Sequence, residues 1–253
     1  MYNTGIVLSG GGTRGFTHLG ILKALYEIGV KPDIISGVSA GAISGAFIAG
    51  GYSPEKTFDI ILENKLMYYF RPTWKGMGFL NMDKIHSFYN KYFPENKFEA
   101  LKIPLIISAT DITHGETIYF SKGNLINPII ASSSIPVIFN PVPYKNVLLL
   151  DGGILNNFPI EPLIRKCNKI IGLHCNKMSK PLRSNSKKGV IERSFHLAIY
   201  NNIKLKFRKC DVLLEPPDSG DFSMFDIGSA RDLFNLGYNY TMAKRKEIEE
   251  KIL

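Results

Sequence analysis

Two rhythms of apolar residues run along this chain. One is a series of short runs with few polar interruptions: "GIVLS" (5–9), "DIISGVS" (33–39), "PLIISATD" (104–111), "ETIYF" (116–120), "VLLLD" (147–151), "KIIGLHC" (169–175) and "DVLLEP" (211–216). Their length and β-branched content predict buried strands. The other rhythm is helical. Over Phe16 to Ile28, Leu19, Leu22, Leu25 and Tyr26 or Ile28 share one face. "AGAISGAFIAGG" (40–51) predicts a helix of small residues ending at paired glycines, which suit a C-cap. Pro54 opens a further helix with Ser53 as its N-cap. Val190 to Phe207 and Asp226 to Ile252 also read as helices, whereas residues 66 to 82 are irregular and aromatic-rich. Strands alternating with helices imply an α/β protein with a largely parallel sheet covered on both faces.

Composition narrows the class. With 253 residues, 45% of them hydrophobic, and no linker, repeat or low-complexity tract, the expectation is one domain over 1–253. The N-terminus lacks a basic region followed by an apolar one, so no secretory signal is read. No window approaches the ~18 apolar residues of a membrane span. The three cysteines, Cys167, Cys175 and Cys210, form no C-x-x-C pair, which argues for buried thiols and against disulfides or a metal site. A cytoplasmic location is the default, although secretion without a signal leaves no trace in these features.

Charge adds one feature. Between Lys177 and Lys209 there are ten Lys and Arg against a single acid, Glu192, so this segment carries the whole net charge of +9. It reads equally as a solvated face or as a surface for anions such as phospholipid head groups. No nucleic-acid motif accompanies it, and nucleic acid is not expected as a partner.

Candidate chemistry begins at "SGGGTRG" (9–15). Gly10, Gly12 and Gly15 satisfy the G-x-G-x-x-G dinucleotide pattern after a strand-like run. That reading requires an acidic residue at the end of the second strand to hold a ribose. The second strand instead runs into Gly37-Val38-Ser39-Ala40-Gly41, a G-x-S-x-G between an apolar strand and a small-residue helix. This is the setting of an elbow that exposes a nucleophilic serine, with Gly37 and Gly41 leaving room for the turn. The helix N-terminus favours a developing negative charge.

A serine needs a base and an oxyanion hole. Asp151 ends an apolar strand, is followed by Gly152-Gly153, and stands on the edge where α/β sheets build their sites. Taken alone, it reads more readily as a turn aspartate. Gly10, Gly11 and Gly12 follow the first strand on the same edge as Ser39. They free N–H groups to converge on an anion, while Arg14 fixes either the loop or the anion.

These motifs, in order, resemble the patatin-like phospholipases: "GGGTRG" (10–15), "GVSAG" (37–41) and "DGG" (151–153). "ATDITHG" (109–115), "ASSSIPVIFNP" (131–141) and "NNFP" (156–159) resemble the intermediate blocks of that family. The resemblance spans about residues 5–162, and the C-terminal third carries no recognised motif. It implies a three-layer α/β/α sandwich, a catalytic dyad of Ser39 and Asp151, and an oxyanion loop of Gly10, Gly11 and Gly12 with Arg14 as its basic residue. It implies a lipid ester substrate and neither cofactor nor metal.

Three alternatives stay open at this point: an esterase or transacylase for small acyl esters, a non-catalytic lipid-binding module, and, remotely, a nucleotide-binding dehydrogenase. Among five histidines, His174 follows Asp151 in the order of a Ser-Asp-His triad, with His18 and His196 on predicted helices. The aromatic run Tyr68, Tyr69, Phe70, Trp74 and Phe79, with Met67, Met77 and Met82, is a candidate lid or acyl groove, or equally a packed cap. The basic segment 177–209 is a candidate for peripheral contact with an anionic membrane. The oligomeric state is not legible.

Overall fold

A computed structural model describes residues 1–64, 71–72, 80–81, 85–177 and 187–253. The proposed lid residues Met67 to Phe70, Trp74, Met77, Phe79 and Met82 lie outside the described residues. So do Lys180 and Arg183 of the basic segment.

In chain order, the first half comprises β1 (Tyr2–Leu8), α1 (Phe16–Ile28), β2 (Ile34–Gly37), α2 (Ala40–Ala49), α3 (Pro54–Glu63), a short pair β3 (Arg71–Pro72) and β4 (Leu80–Asn81), and α4 (Ile85–Tyr92). Then come β5 (Leu105–Asp111), β6 (Glu116–Phe120), α5 (Ile126–Ser132), β7 (Val142–Tyr144), β8 (Val147–Asp151) and α6 (Gly153–Asn156). The chain finishes with β9 (Cys167–Leu173), α7 (Lys187–Ile203), β10 (Val212–Leu214), α8 (Ala230–Ala243) and α9 (Arg245–Ile252).

The strands join in the order β10-β9-β1-β2-β5-β8-β7, with β6 also on β5. From β10 to β5 every pairing is parallel. The β5–β6, β5–β8 and β7–β8 pairs are antiparallel. The sheet is therefore mixed and mostly parallel, with helices on both sides.

Period-two alternation divides the strands between two cores. Ile6, Leu8, Ile35, Ile107 and Ile171 face a large cluster with Leu19, Leu22 and Leu25 of α1, Phe47 of α2, Phe58 of α3 and Phe234 of α8. Val7, Ile34, Ile106 and Ile170 face the other way, against Phe158, Ile160, Leu163 and Ile203. A one-residue slip of any of these strands would exchange its two faces.

Local signals account for the helix boundaries. Ser53 Oγ accepts the Lys56 N–H at 3.1 Å and caps α3, with Pro54 at its first position. At the end of α2 it is Gly51, not Gly50, that takes the left-handed conformation, at φ 93°. The long C-terminal helix expected over Asp226–Ile252 is divided at Lys244 into α8 and α9, after a short 3-10 turn. No Gly or Pro marks this break. It turns Ile248 and Ile252 into the large core.

Candidate active site

Four consecutive parallel strands (β9, β1, β2 and β5) end at the same edge, and the chemistry-bearing loops leave from there. The first is 9–15. Ser9 still belongs to the ladder, donating its N–H to the Leu173 carbonyl at 3.1 Å. The chain then leaves the sheet, and the N–H groups of Gly10, Gly11 and Gly12 take no partner among the described residues. The loop is held from its carbonyl side, where Asn176 Nδ2 donates to the Gly10 carbonyl at 2.6 Å. A Cβ on Gly10 would strike Asn157 Oδ1 and lie 3.0 Å from Ser39 Cβ, so this approach requires glycine.

The second loop is the turn from β2 into α2. Ser39 stands at φ 53°, ψ −123°, a conformation that costs a non-glycine residue of order 1–3 kcal/mol. A Cβ on Gly37 would lie 2.5 Å from the Gly41 carbonyl oxygen, and one on Gly41 would strike the Leu8 carbonyl. The two glycines flanking the serine thus allow the turn to close. The Ser39 N–H is taken by Ser132 Oγ at 2.8 Å. Ala40, first in α2, presents its N–H at the helix start, where no intrahelical acceptor is available.

The third element is β8. Its antiparallel pairing on β5 puts Asp151 opposite Ala109, with the Asp151 N–H on the Ser134 carbonyl at 2.9 Å. The Asp151 carboxylate accepts the Gly153 N–H at 2.7 Å and a hydrogen bond from the Ser39 hydroxyl. Burial pushes its pKa up to about 6, and those two hydrogen bonds oppose the rise. Such a carboxylate is a better proton acceptor than a solvated aspartate. A Cβ on Gly152 would meet the Ser108 carbonyl oxygen at 2.5 Å, which keeps the turn after Asp151 tight against β5.

Arg14 is buried, and its guanidinium bonds residues of the C-terminal third. Nε donates to the Phe222 carbonyl at 2.7 Å, and Nη1 lies 3.4 Å from Asn176 Oδ1 and 2.7 Å from His196 Nε2. Thr13 N–H donates to the Met224 carbonyl at 2.9 Å. Of the two roles open to Arg14 from sequence, these contacts match that of holding the loop. Burial and the charges of Arg14 and Arg193 depress the His196 pKa to about 3, leaving a neutral ring to accept from Arg14.

No histidine is bonded to Asp151. His174 points its Nδ1 at Glu215 Oε1, 2.8 Å away. Burial pushes the Glu215 carboxyl up, but the bond and charge of His174 and the charge of Lys177 outweigh it and hold it below the usual range. His18 gives its Nε2–H to the Ser9 carbonyl at 2.8 Å, and burial lowers its pKa to about 4. A Ser-Asp-His triad is therefore not assembled from the described residues.

Ser39 borders two cavities. The larger, about 170 Å³, is walled by Phe16, Ile43, Ile61, Tyr89, Ile130, Ile138 and Phe139. The smaller, about 30 Å³, is lined by Gly11, Asp151, Asn157, His174, Asn176, His196 and Tyr200 among others. Ser132, Asn157 and Asn176 were not singled out from sequence, and His196 was weighed only as a histidine for a triad. Ser132 and Asn157 do lie in the "ASSSIPVIFNP" and "NNFP" blocks, which was the available signal. Asn176 had none, and nothing in the sequence paired His196 with Arg14, because these contacts form across the sheet edge.

One cluster of metal-ligand types occurs among the described residues, Asp111 with His114 and Glu116. Asp111 Oδ1 already accepts the Thr113 N–H at 2.7 Å and Oδ2 bonds the His114 ring, so the group is explained as a turn. The buried thiol of Cys175 backs the glycine loop, and burial pushes its pKa up to about 11. Among the described residues no helix is long and apolar enough to cross a membrane.

A strand–elbow–helix with a buried serine and aspartate under a glycine loop defines a class of α/β protein, and the comparisons agree with it. The sequence pattern of the patatin-like phospholipases matches residues 6–164, and the chain belongs to that family. It is 32% identical over 160 residues to an uncharacterised NTE family protein of Mycobacterium tuberculosis, covering 62% of this chain and 44% of that one. It is 31% identical over 176 residues to lysophospholipase NTE1 of Candida glabrata, covering 67% of this chain and 10% of that protein. The chain thus matches less than half the length of either relative. In fold it is similar to VipD from Legionella pneumophila, with a TM-score of 0.58 at 14% identity over 97% of this chain and 67% of that one.

Proposed function

We propose that this chain is a serine acyl hydrolase that cleaves carboxylic esters of phospholipids or related acyl glycerolipids, with Ser39 as nucleophile and Asp151 as base. The observation that carries this reading is the Ser39 elbow at φ 53° with its hydroxyl on a buried carboxylate of raised pKa. Family membership and the relative called a lysophospholipase support the substrate class. The 170 Å³ apolar cavity beside Ser39 suits a fatty acyl chain, which favours a lipid ester over a small polar one.

In this mechanism Ser39 Oγ attacks the acyl carbon and its proton passes to Asp151. The carbonyl oxygen becomes an oxyanion, received by the N–H groups of the Gly10–Gly12 loop and the start of α2. Collapse breaks the bond to the alcohol oxygen, which takes the proton from Asp151. Water then attacks the acyl-Ser39 ester, again giving its proton to Asp151, and the second collapse returns that proton to Ser39 Oγ and releases the fatty acid. The dipole of α2 and the glycine loop offset the weakness of a carboxylate base.

The basic segment 177–209 is the proposed contact with an anionic membrane surface. Two of its lysines are already partnered, Lys177 with Glu215 and Lys206 with Glu161. Exposed Ile191, Leu197 and Leu205 lie among its charges, so the face combines apolar and basic groups as an interfacial surface does. The deciding experiment for the activity is mass spectrometry of products from mixed phospholipids. Free fatty acid released by the native chain is expected to vanish in both Ser39→Ala and Asp151→Ala. Release that persists in either variant would remove the dyad.

A further inference from the structure

Ser39 stands where two unlike cavities meet. The larger one is walled mostly by apolar side chains, whereas the smaller one is bordered by Asn157, His174, Asn176 and Tyr200. An ester has an equally unlike pair of halves, an acyl chain and an alcohol. If the chain occupies the apolar cavity, the alcohol oxygen leaves on the other side of Ser39.

The residue in the smaller cavity that is built to receive something is His174. It is fully buried, and its Nε2 has no hydrogen-bond partner among the described residues. An orphaned buried nitrogen is costly, of order 1–3 kcal/mol, and is uncommon unless a water or ligand meets it. Its orientation is fixed at every other point. Nδ1 is on Glu215, which is itself anchored by Lys177 at 3.4 Å, and the ring packs on Phe207 with centroids 5.0 Å apart. His174 lines the cavity and Glu215 does not. Because a carboxylate only accepts, Nδ1 carries a proton, and Nε2 is the ring atom left to bond a ligand. The second histidine of this cavity, His196, already meets Arg14.

We propose that His174 Nε2 is a hydrogen-bond partner of the leaving alcohol, and that it selects esters whose alcohol carries a further free hydroxyl, such as the glycerol of a monoacyl lipid. The inference rests on the Ser39 reading above. The space of about 30 Å³ is matched to a hydroxyl or water-sized group and not to a second chain. His174 is thereby a specificity-determining residue. It forms and breaks no covalent bond, and it makes one hydrogen bond that a deoxy alcohol does not allow.

The test compares kcat/KM for palmitoyl lysophosphatidylcholine and its 2-deoxy analogue, with fluorophosphonate labelling of Ser39 in the same samples. The native chain is expected to favour the hydroxyl-bearing ester by roughly tenfold, the worth of one neutral hydrogen bond. The ratio should fall toward one in His174→Phe. It should recover in part in His174→Gln, whose amide can again bond a hydroxyl while leaving Glu215 a donor. A native ratio of one, or a ratio unchanged in His174→Phe, overturns the proposal. Labelled Ser39 with a native ratio of one sinks this inference alone, whereas unlabelled native Ser39 sinks the hydrolase reading with it.

Discussion

The Ser39 N–H donates to Ser132 Oγ at 2.8 Å, and Ser132 Oγ in turn donates to the Ser108 carbonyl at 2.7 Å. One hydroxyl thus ties the strained elbow to the neighbouring strand β5 through α5. Removing it leaves a buried N–H and a buried carbonyl unmatched. Ser132→Ala is expected to cost about 1–3 kcal/mol of stability in denaturant unfolding. It should also slow fluorophosphonate labelling of Ser39. Ser132→Thr keeps the hydroxyl and should lose less of both.

Ser39 and Asp151 are expected to act as a unit. Substituting either one should lower lipid hydrolysis by about 10⁴-fold or more, and the double variant should be little worse than the more damaging single one. Steady-state hydrolysis of one phospholipid by all four forms checks this. Losses that multiply would mean that the two residues act independently.

The pH dependence follows from the Asp151 carboxyl, whose pKa lies near 6 instead of its ordinary 3.8. With Asp151 as the proposed base, kcat/KM should fall as pH drops through about 6. The sign for stability is opposite. The folded chain binds a proton at Asp151 over pH 4–6 that the unfolded chain does not, so this group's contribution is full below pH 4 and lost as pH rises through 6. At neutral pH the ionised form costs about 3 kcal/mol, the equivalent of two pKa units. Asp151→Asn should therefore melt higher than the native chain at pH 7.5 and lose that advantage near pH 4, as differential scanning calorimetry would show.

Arg14 is expected to matter through position. Its buried bonds to Phe222, Asn176 and His196 hold the loop that carries Gly10 to Gly12. Arg14→Met should lower stability by roughly 2–4 kcal/mol, because the Phe222 carbonyl and its neighbours lose a charged donor. Hydrolysis should fall mainly in kcat, since the oxyanion forms only during reaction. A purely KM effect would instead place Arg14 at the substrate.

The apolar cavity predicts a chain-length profile. For a homologous series of esters, kcat/KM should climb about fourfold per methylene, the equivalent of about 0.8 kcal/mol, until the cavity is filled. Ile43 lines it and is half-buried, so Ile43→Phe should move the plateau to shorter chains. An unchanged plateau would put the acyl chain elsewhere.

The parts of this molecule that were legible in the sequence are those with local causes. Glycines crowd around Ser39 because backbone meets backbone there, and the strand runs are apolar because two cores flank them. The helix break at Lys244, the short strand β7 and the antiparallel turn of the sheet from β5 to β7 depend on distant packing and left no local mark. The same holds for the site. Asp151 read alone as a turn residue. It is one, since it accepts the Gly153 N–H, and it also accepts from a serine more than a hundred positions away in sequence. Arg14 stood out as a basic residue in the right loop, but its direction was set by Phe222, Asn176 and His196, in a segment with no motif.

That last arrangement separates what is copied from what is clamped. The motif-bearing stretch ends near residue 164, yet the carbonyls and rings that grip its first loop come from residues 176 to 224. The back third of the chain works as a vice on the front. Exchanging that third between relatives would retune the anion loop while leaving every letter of the family's signature untouched.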